Sequence, residues 1–176
     1  MTLFPYTTLF RSMTFKKAKL FRFKKDQNER ITCISYDDNE EYYSFLREYR
    51  SKGYRQVIIT TEIMIKIIET SVLNDNLFVY KIELAEEDEE LEKEIDQLLT
   101  KTRHNSSYFA LLLEKIQFLS ERSSIDLFRV YVKNQYQENT SCLNFFLQSN
   151  GIIGIDSEHF ENQSKKICEI VEEYLF

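Results

Sequence analysis

The first half of the chain alternates two kinds of hydrophobic spacing. Short runs rich in β-branched and aromatic residues, which are typical of strands, occupy residues 18–25, 30–37, 55–60 and 77–84. Apolar residues at helical spacing separate the last three runs, over 42–49 and 63–72. The first two runs, joined by a polar loop, predict an antiparallel hairpin. Residues 30–84 predict a β-α-β-α-β unit, an order that favours right-handed crossovers and a parallel, Rossmann-like sheet.

The second half predicts two helices, three strands and a last helix. The helical stripes extend over about 86–102 and 107–122, and strand-like runs follow at 125–132, 142–148 and 152–156. Ser149-Asn150-Gly151 favours a tight hairpin turn, because Asn and Gly tolerate positive φ. The last helix is expected to start at a cap on Asp156 or Ser157. This half is therefore predicted to be an antiparallel β-β-β-α arrangement.

Together these elements predict an α/β fold with a mixed sheet. Residues 13–176 are expected to form one domain, and the helix break near residues 102–106 is the alternative boundary between two subdomains. Residues 1–12 differ from the rest, since they hold the sole proline and a repeated TLF and precede a second Met. TLFPYTTLFRS resembles the translation of a sequencing-adapter remnant. We expect this leader to be foreign to the fold.

One internal stretch resembles part of a known protein. Residues 54–69, YRQVIITTEIMIKIIE, are similar to a strand-to-helix stretch in the small F subunit of V-type rotary ATPases, which has a Rossmann-like α/β core. The resemblance implies a strand that turns near Thr60 or Thr61 into a helix.

Composition restricts the class of protein further. The chain has 176 residues, of which 43% are hydrophobic. Its 14 Phe and 11 Tyr can each bury a large apolar surface. Its three cysteines are far apart and lack metal-site spacing, which favours a reducing, cytoplasmic compartment. No apolar stretch approaches the roughly 18 residues of a membrane helix. The formal charge of −6 disfavours general attraction to nucleic acid or to anionic lipid.

Two adjacent carboxylates, Asp37 and Asp38, follow the strand that is predicted to open the β-α-β-α-β unit. Open α/β sheets bind ligands at the carboxyl ends of their strands, and carboxylate oxygens suit Mg²⁺. Asn39, Thr60 and Thr61 would share this cleft, and the alternative for the two threonines is that they only cap the second helix. Such a site would belong to a metal-dependent hydrolase or a nucleotide-binding enzyme. The alternative is that Asp38 caps the next helix and Asp37 is solvated, since no glycine-rich phosphate loop accompanies them.

The histidines and cysteines indicate no catalytic centre by themselves. His104 is predicted in a loop and His159 near the start of the last helix, where Asp156 could orient its ring. Cys33 and Cys168 lie at apolar positions, where burial raises the pKa of a thiol and makes it inert. The sequence contains no P-loop, GxSxG, HExxH or dinucleotide fingerprint, so no cofactor is expected.

The first predicted hairpin is strongly basic. From Lys16 to Arg30 seven residues are basic and two are acidic. Cations interleaved with aromatic rings can bind single-stranded nucleic acid, and the residues in question over 16–25 are Lys19, Phe21, Arg22, Phe23, Lys24 and Lys25. The alternative is an edge strand whose lysines protect it from aggregation while its rings pack inward, and the net negative charge of the chain favours that alternative.

The predicted helix over 86–101 is strongly acidic. From Glu83 to Asp96 nine residues are acidic and one is basic. A solvated helix face is one explanation, and a surface that binds a basic protein partner is the other. The partner-binding candidates are Glu87, Asp88, Glu90 and Glu94. In the absence of a catalytic motif, we predict a cytoplasmic, non-enzymatic accessory or regulatory protein that binds a protein partner through this helix.

Overall fold

The computed structural model describes residues 15–134 and 143–176, so the predicted leader and Cys142 lie outside the described residues. The described helices are α1 (Tyr42–Ser51), α2 (Thr61–Asn74), α3 (Glu89–His104), α4 (Tyr108–Ser123) and α5 (Phe160–Leu175). The described strands are β1 (Phe15–Lys25), β2 (Asn28–Ser35), β3 (Arg55–Gln56), β4 (Leu77–Leu84), β5 (Leu127–Asn134), β6 (Leu143–Gln148) and β7 (Ile152–Asp156).

The strands form a single sheet in which every described pairing is antiparallel. The order across the sheet is β2-β1-β7-β6-β5-β4, and the short strand β3 pairs with the second half of β1. Strand β1 therefore pairs with β2 along one edge and with β7 and then β3 along the other. The predicted antiparallel β-β-β-α order of the second half is present as β5, β6, β7 and α5.

One face of the sheet carries the main hydrophobic core. Side chains at alternate positions of adjacent strands, such as Leu20, Ile153, Leu147 and Val130, lie on this face and are almost fully buried. Helices α2, α3, α4 and α5 contribute their apolar stripes to the same cluster. Each fully buried side chain of this kind contributes about 1.5–3 kcal/mol. We call this side of the sheet the helix-packed face.

The opposite face of the sheet is covered by α1 over β1 and β2. The ring of Phe45 lies 5.8 Å from that of Phe21 on β1 and 5.1 Å from that of Tyr36, and the Tyr49 ring stacks 5.5 Å from Phe21. These rings form a second, smaller core, the α1 cluster, whose members are Phe21, Tyr36, Tyr42, Phe45, Tyr49 and Tyr54. Gly53, at φ +88°, follows the last turn of α1 in the left-handed conformation that glycine adopts readily.

The prediction of a parallel, Rossmann-like N-terminal half is wrong. Strands β2 and β3 do run in the same direction, since both are antiparallel to β1, but β1 lies between them. Strand β4 lies at the other edge of the sheet and pairs antiparallel with β5. The physical reason is that β1 is 11 residues long and offers hydrogen-bonding groups on both edges, so it fills the place of a parallel neighbour.

The predicted strand over 55–60 is mostly not a strand. Only Arg55 and Gln56 pair with β1, and the chain then continues as an extended segment into α2. Val57 N donates to Leu20 O at 3.2 Å and Ile59 N donates to Ser149 O at 2.8 Å, which joins this segment to β1 and to the β6–β7 turn. The strand-to-helix order implied by the resemblance is therefore present in a shortened form.

The connection at residues 105–107 separates α3 from α4, where the alternative domain boundary was predicted. Both helices contribute to the same core, and Lys115 Nζ lies 2.7 Å from Glu94 Oε2 between them. One domain over 13–176 stays a prediction. None of the described helices is both long and apolar enough to cross a bilayer.

Candidate functional site

The predicted carboxylate pair lies beside β1 in an open polar groove of about 460 Å³. Asp38 forms an ion pair with Lys17 at 2.7 Å, and Asp37 Oδ1 accepts a hydrogen bond from Asn39 N at 3.1 Å. Neither carboxylate belongs to a group of three potential ligands among the described residues. Metal binding by Asp37 and Asp38 stays a prediction. A metal ion would have to compete with Lys17 for the Asp38 carboxylate.

The threonines that were expected to share this cleft lie at the other end of β7. Thr60 caps α2, since its Oγ1 accepts from Ile63 N at 3.4 Å. Thr61 donates to Asp126 Oδ1 at 2.8 Å and accepts from Leu127 N at 3.0 Å. Parallel strands would have brought these threonines and the carboxylate pair to one edge, whereas the antiparallel order separates them.

Asp156, Glu158 and His159 come together at the start of α5. Their nearest ligand atoms all lie within 4.8 Å of one another, and Asp156 Oδ1 accepts from Glu158 N at 3.2 Å. The sequence pointed to Asp156 and His159 but not to Glu158. The positive end of the α5 dipole disfavours a cation at this position.

Burial disfavours the thiolate form of the two described cysteines. Burial raises the pKa of the Cys33 thiol far above its ordinary value, and it raises the pKa of Cys168 to about 12. A thiol is a nucleophile only as the thiolate, which neither residue forms near neutral pH.

The basic hairpin is divided between surface and interior. Lys19 is 0% exposed and Phe21 1% exposed, and the Phe23 ring packs 5.2 Å from that of Tyr54. Arg22 lies 3.9 Å from Glu29 across the hairpin. Lys24 and Lys25 are exposed at its tip. Nucleic-acid binding by residues 16–25 stays a prediction that rests on fewer side chains than the sequence suggested.

Lys19 is a buried cation held by main-chain carbonyls. Its Nζ donates to Val57 O at 3.3 Å and to Asn150 O. Burial lowers the pKa of Lys19 to about 8. A Cβ on Gly151 would lie 2.4 Å from Val57 O and 3.0 Å from this Nζ, so glycine is required beside the amine.

Two of the four acidic candidates have roles inside the molecule. Asp88 caps α3, its Oδ1 accepting from Leu91 N at 3.0 Å, and Glu94 pairs with Lys115. Glu87 and Glu90 are exposed near the start of α3, where negative charge is favourable to the helix dipole. Partner binding by this helix stays a prediction.

A cluster that no sequence motif indicates lies on the opposite face of the sheet, over β4, β5 and β6. No described helix covers this region as α1 covers β1 and β2. Cations and aromatic rings meet there at adjacent strand positions. We call it the open-face cluster, and its members are Phe78, Tyr80, Lys81, Glu83, Arg103, Phe128, Arg129, Tyr131, Lys133 and Phe146.

Two β-bulges contribute aromatic residues to this cluster. Val79 pairs with Val132 and Lys81 with Tyr131, which leaves Tyr80 as an extra residue in β4. The next irregularity leaves Phe128 as an extra residue in β5. A bulge redirects a side chain without ending the strand, and here each bulge inserts a ring next to a cation.

Arg129 lies at the centre of the open-face cluster. Its guanidinium carbon is 5.2–5.7 Å from the ring centres of Phe128, Phe146 and Tyr131. Arg129 Nη1 donates to Tyr131 Oη at 2.7 Å, and Glu83 lies 3.6 Å away. The Gln148 amide satisfies its neighbours when its oxygen accepts from Arg129 Nε at 2.7 Å. The guanidinium is therefore held in place as a flat, charged surface.

Each lysine of the cluster contacts another of its members. Lys133 Nζ lies 3.5 Å from the centre of the Tyr80 ring, and Lys81 Nζ donates to Glu83 Oε1 at 2.8 Å. Burial opposes ionisation of Glu83, but the hydrogen bond and charge of Lys81 and the charge of Arg129 outweigh it and lower the pKa of Glu83. The open-face cluster contains four cations and one carboxylate. It is therefore positive, although the formal charge of the whole protein is −6.

Part of this cluster has a signal in the sequence. Arg129, Tyr131 and Lys133 alternate with the buried Val130 and Val132, so the outward positions of one strand are cationic or aromatic. The bulges at Tyr80 and Phe128 have no such signal, because they depend on which strands pair and in what register.

The chain matches no protein-family model, no curated protein and no solved structure.

Proposed function

We propose that the chain is a non-enzymatic binding protein whose working surface is the open-face cluster and whose partner is an anionic macromolecule. The observation that carries this proposal is the concentration of four cations and five rings, in an acidic protein, on a part of the sheet that none of the described helices covers. A positive surface on a negative molecule orients an anionic partner toward one side and repels it elsewhere.

Retention on immobilised heparin, a polyanion without bases or aromatic rings, tests this proposal. The double variant Lys81→Gln/Lys133→Gln removes two cations from the open-face cluster and should elute at lower salt than the wild type. Lys24→Gln/Lys25→Gln removes the same charge from the exposed hairpin tip and is the matched control. It should elute with the wild type.

Equal loss of retention by both double variants would contradict the proposal, since only net charge would then matter. Absence of wild-type retention at low salt would also contradict it. Loss of retention by the hairpin variant alone would instead favour nucleic-acid binding by residues 16–25.

The acidic surface of α3 is a second proposed binding site, for a basic protein. Glu87 and Glu90 form no ion pair with another residue in the described part of the chain, which favours a role outside the molecule. A pull-down with the wild type and with Glu87→Lys/Glu90→Lys compares the partners recovered. Partners of the α3 surface should be lost from the variant, and identical recovery by both proteins would contradict this second proposal.

A further inference from the structure

We infer that the anionic partner of the open-face cluster is a single-stranded nucleic acid. This inference rests on the proposed function and adds the chemical class of the partner. Phosphates would contact Lys81 and Lys133, and bases would stack on the rings and on the Arg129 guanidinium. Antiparallel sheets with an open aromatic face are one established way in which proteins bind single-stranded RNA.

The rings are arranged at a spacing that suits successive bases. Tyr131 on β5 and Phe146 on β6 have ring centres 6.1 Å apart, a separation that adjacent bases of an unstacked strand can span. Tyr80 is 42% exposed on the neighbouring strand. Rings on three adjacent strands therefore form a path across the sheet, and base stacking on such rings tolerates any sequence because every base has a π-face.

The cations divide into two roles. The N–H groups of Arg129 are directed to Tyr131, Gln148 and Glu83, so its contribution is a planar face for stacking. Lys81 is half exposed and Lys133 lies over the Tyr80 ring, and both amines can turn to a phosphate without breaking a buried contact. Lys81 and Lys133 are therefore the phosphate contacts that salt should weaken.

The aromatic content separates this partner from other polyanions. An acidic peptide would use the cations and leave the rings without planar partners. A duplex has its bases stacked internally, so it too would meet the rings with its phosphates alone. A single-stranded nucleic acid would contact both the cations and the rings of the cluster. Charge complementarity and the partly exposed rings therefore favour a single strand as the partner.

Fluorescence anisotropy with labelled oligomers tests this inference on the full chain. The probes are an oligouridine of about 12 nucleotides, within the usual site size of a single-strand binding surface, an abasic oligomer of the same length, the matching duplex, and poly-glutamate as a competitor. The abasic oligomer has the phosphates without the bases. The oligouridine should bind at least about tenfold more tightly than the abasic oligomer and the duplex.

Two pairs of variants assign the contacts. Tyr80→Leu should weaken oligouridine binding about tenfold and leave abasic binding unchanged, whereas Tyr43→Leu, at an exposed tyrosine of α1, should change neither. Lys81→Gln/Lys133→Gln should lower the slope of log K against log salt by about 1.4, for two contacts at about 0.7 each. Lys24→Gln/Lys25→Gln should leave that slope unchanged, and circular dichroism of each variant checks the fold.

The outcomes separate this inference from the proposed function. Equal affinity for oligouridine and the abasic oligomer would overturn the inference and leave a polyanion-binding surface. Displacement of oligouridine by equimolar poly-glutamate would overturn it in favour of an acidic protein partner. Failure of every probe, heparin included, would overturn both. Tight oligouridine binding that weakens in Tyr80→Leu and in Lys81→Gln/Lys133→Gln, but in neither control variant, supports both.

Discussion

The two ends of the opposite face of the sheet use the same side chains in different ways. Over β1 and β2 the rings of the α1 cluster pack against one another under a helix, and Phe45 is 5% exposed. Over β4, β5 and β6 the rings pack beside cations and stay partly exposed, with Arg129 and Lys133 against them. An aromatic side chain thus becomes core or surface according to what lies over it. The four predictions below test this difference.

The largest effect is expected from Phe45→Ala in the α1 cluster. Removing this ring leaves a cavity against Phe21 and Tyr36 and should lower the free energy of unfolding by about 4 kcal/mol. Tyr43→Ala on the same helix is the control, since Tyr43 is 72% exposed. Urea denaturation measures both. A loss below about 1 kcal/mol for Phe45→Ala would mean that the α1 cluster is no core.

A smaller effect is expected from the titration of Lys19, the cation buried between the two regions. Its pKa is about 8 in the folded protein and 10.5 as the ordinary value, so between these pH values the unfolded chain holds more protons. Stability should therefore rise by about 3 kcal/mol as the pH increases from 8 to 10.5, the penalty for the buried charge being fully present below pH 8.

The measurement for Lys19 is the difference in unfolding free energy between the wild type and Lys19→Met across that pH range. Comparison with Lys19→Met is needed because Tyr36 also makes stability depend on pH near the upper end of this range. Burial raises the pKa of Tyr36 to about 12 in the folded protein. Parallel pH profiles for the two proteins would show that the Lys19 amine reaches solvent as the cations of the open-face cluster do.

Gly154→Ala tests how firmly one ring of the open-face cluster is seated. A Cβ at this position would lie 2.1 Å from the Phe146 ring, so the ring would have to move away from residue 154. We expect a loss of about 1–2 kcal/mol in unfolding free energy, because a side chain rather than the backbone moves. Oligouridine affinity should fall as well. Unchanged stability and affinity would show that Phe146 has no fixed place.

The smallest effect on stability is expected from Tyr80→Leu. Tyr80 is an extra residue at a bulge and is partly exposed, so its replacement should change the unfolding free energy by less than about 1 kcal/mol. The comparison with Phe45→Ala is then complete, with one ring important for stability and the other for binding. A loss comparable to that of Phe45→Ala would mean that the open-face cluster is a core.

The sequence predicts the helices and strands of this fold better than it predicts which strands pair with each other. Strand β4 occupies residues 77–84 as its pattern indicates, and the turn at residues 149–151 joins β6 to β7. Helix α5 begins later than predicted, at Phe160, because Asp156 stays in β7 opposite Phe15. The parallel unit is wrong because hydrophobic spacing specifies which face of a strand is buried but not which strand lies beside it.

The candidate site was less accessible to prediction for a related reason. The open-face cluster is assembled from three strands and from Arg103 at the end of α3, and its strand members are adjacent only in the observed register. The charge runs that dominate the sequence, by contrast, turn out to have local uses such as the Asp88 cap and the burial of Lys19. Runs along the chain are visible in sequence, whereas neighbours across a sheet are not.

The position of β1 has a consequence for synthesis of the chain. Its hairpin with β2 needs only a local turn and can form as soon as both strands emerge, but its other edge waits for β7, near the far end of the chain. During that interval β1 presents an unpaired edge, the state in which strands join wrong neighbours. The part of β1 that pairs with β7 carries three lysines, Lys16, Lys17 and Lys19. Lysines on an unpaired strand edge oppose pairing with another chain, so these three residues would protect β1 during that interval.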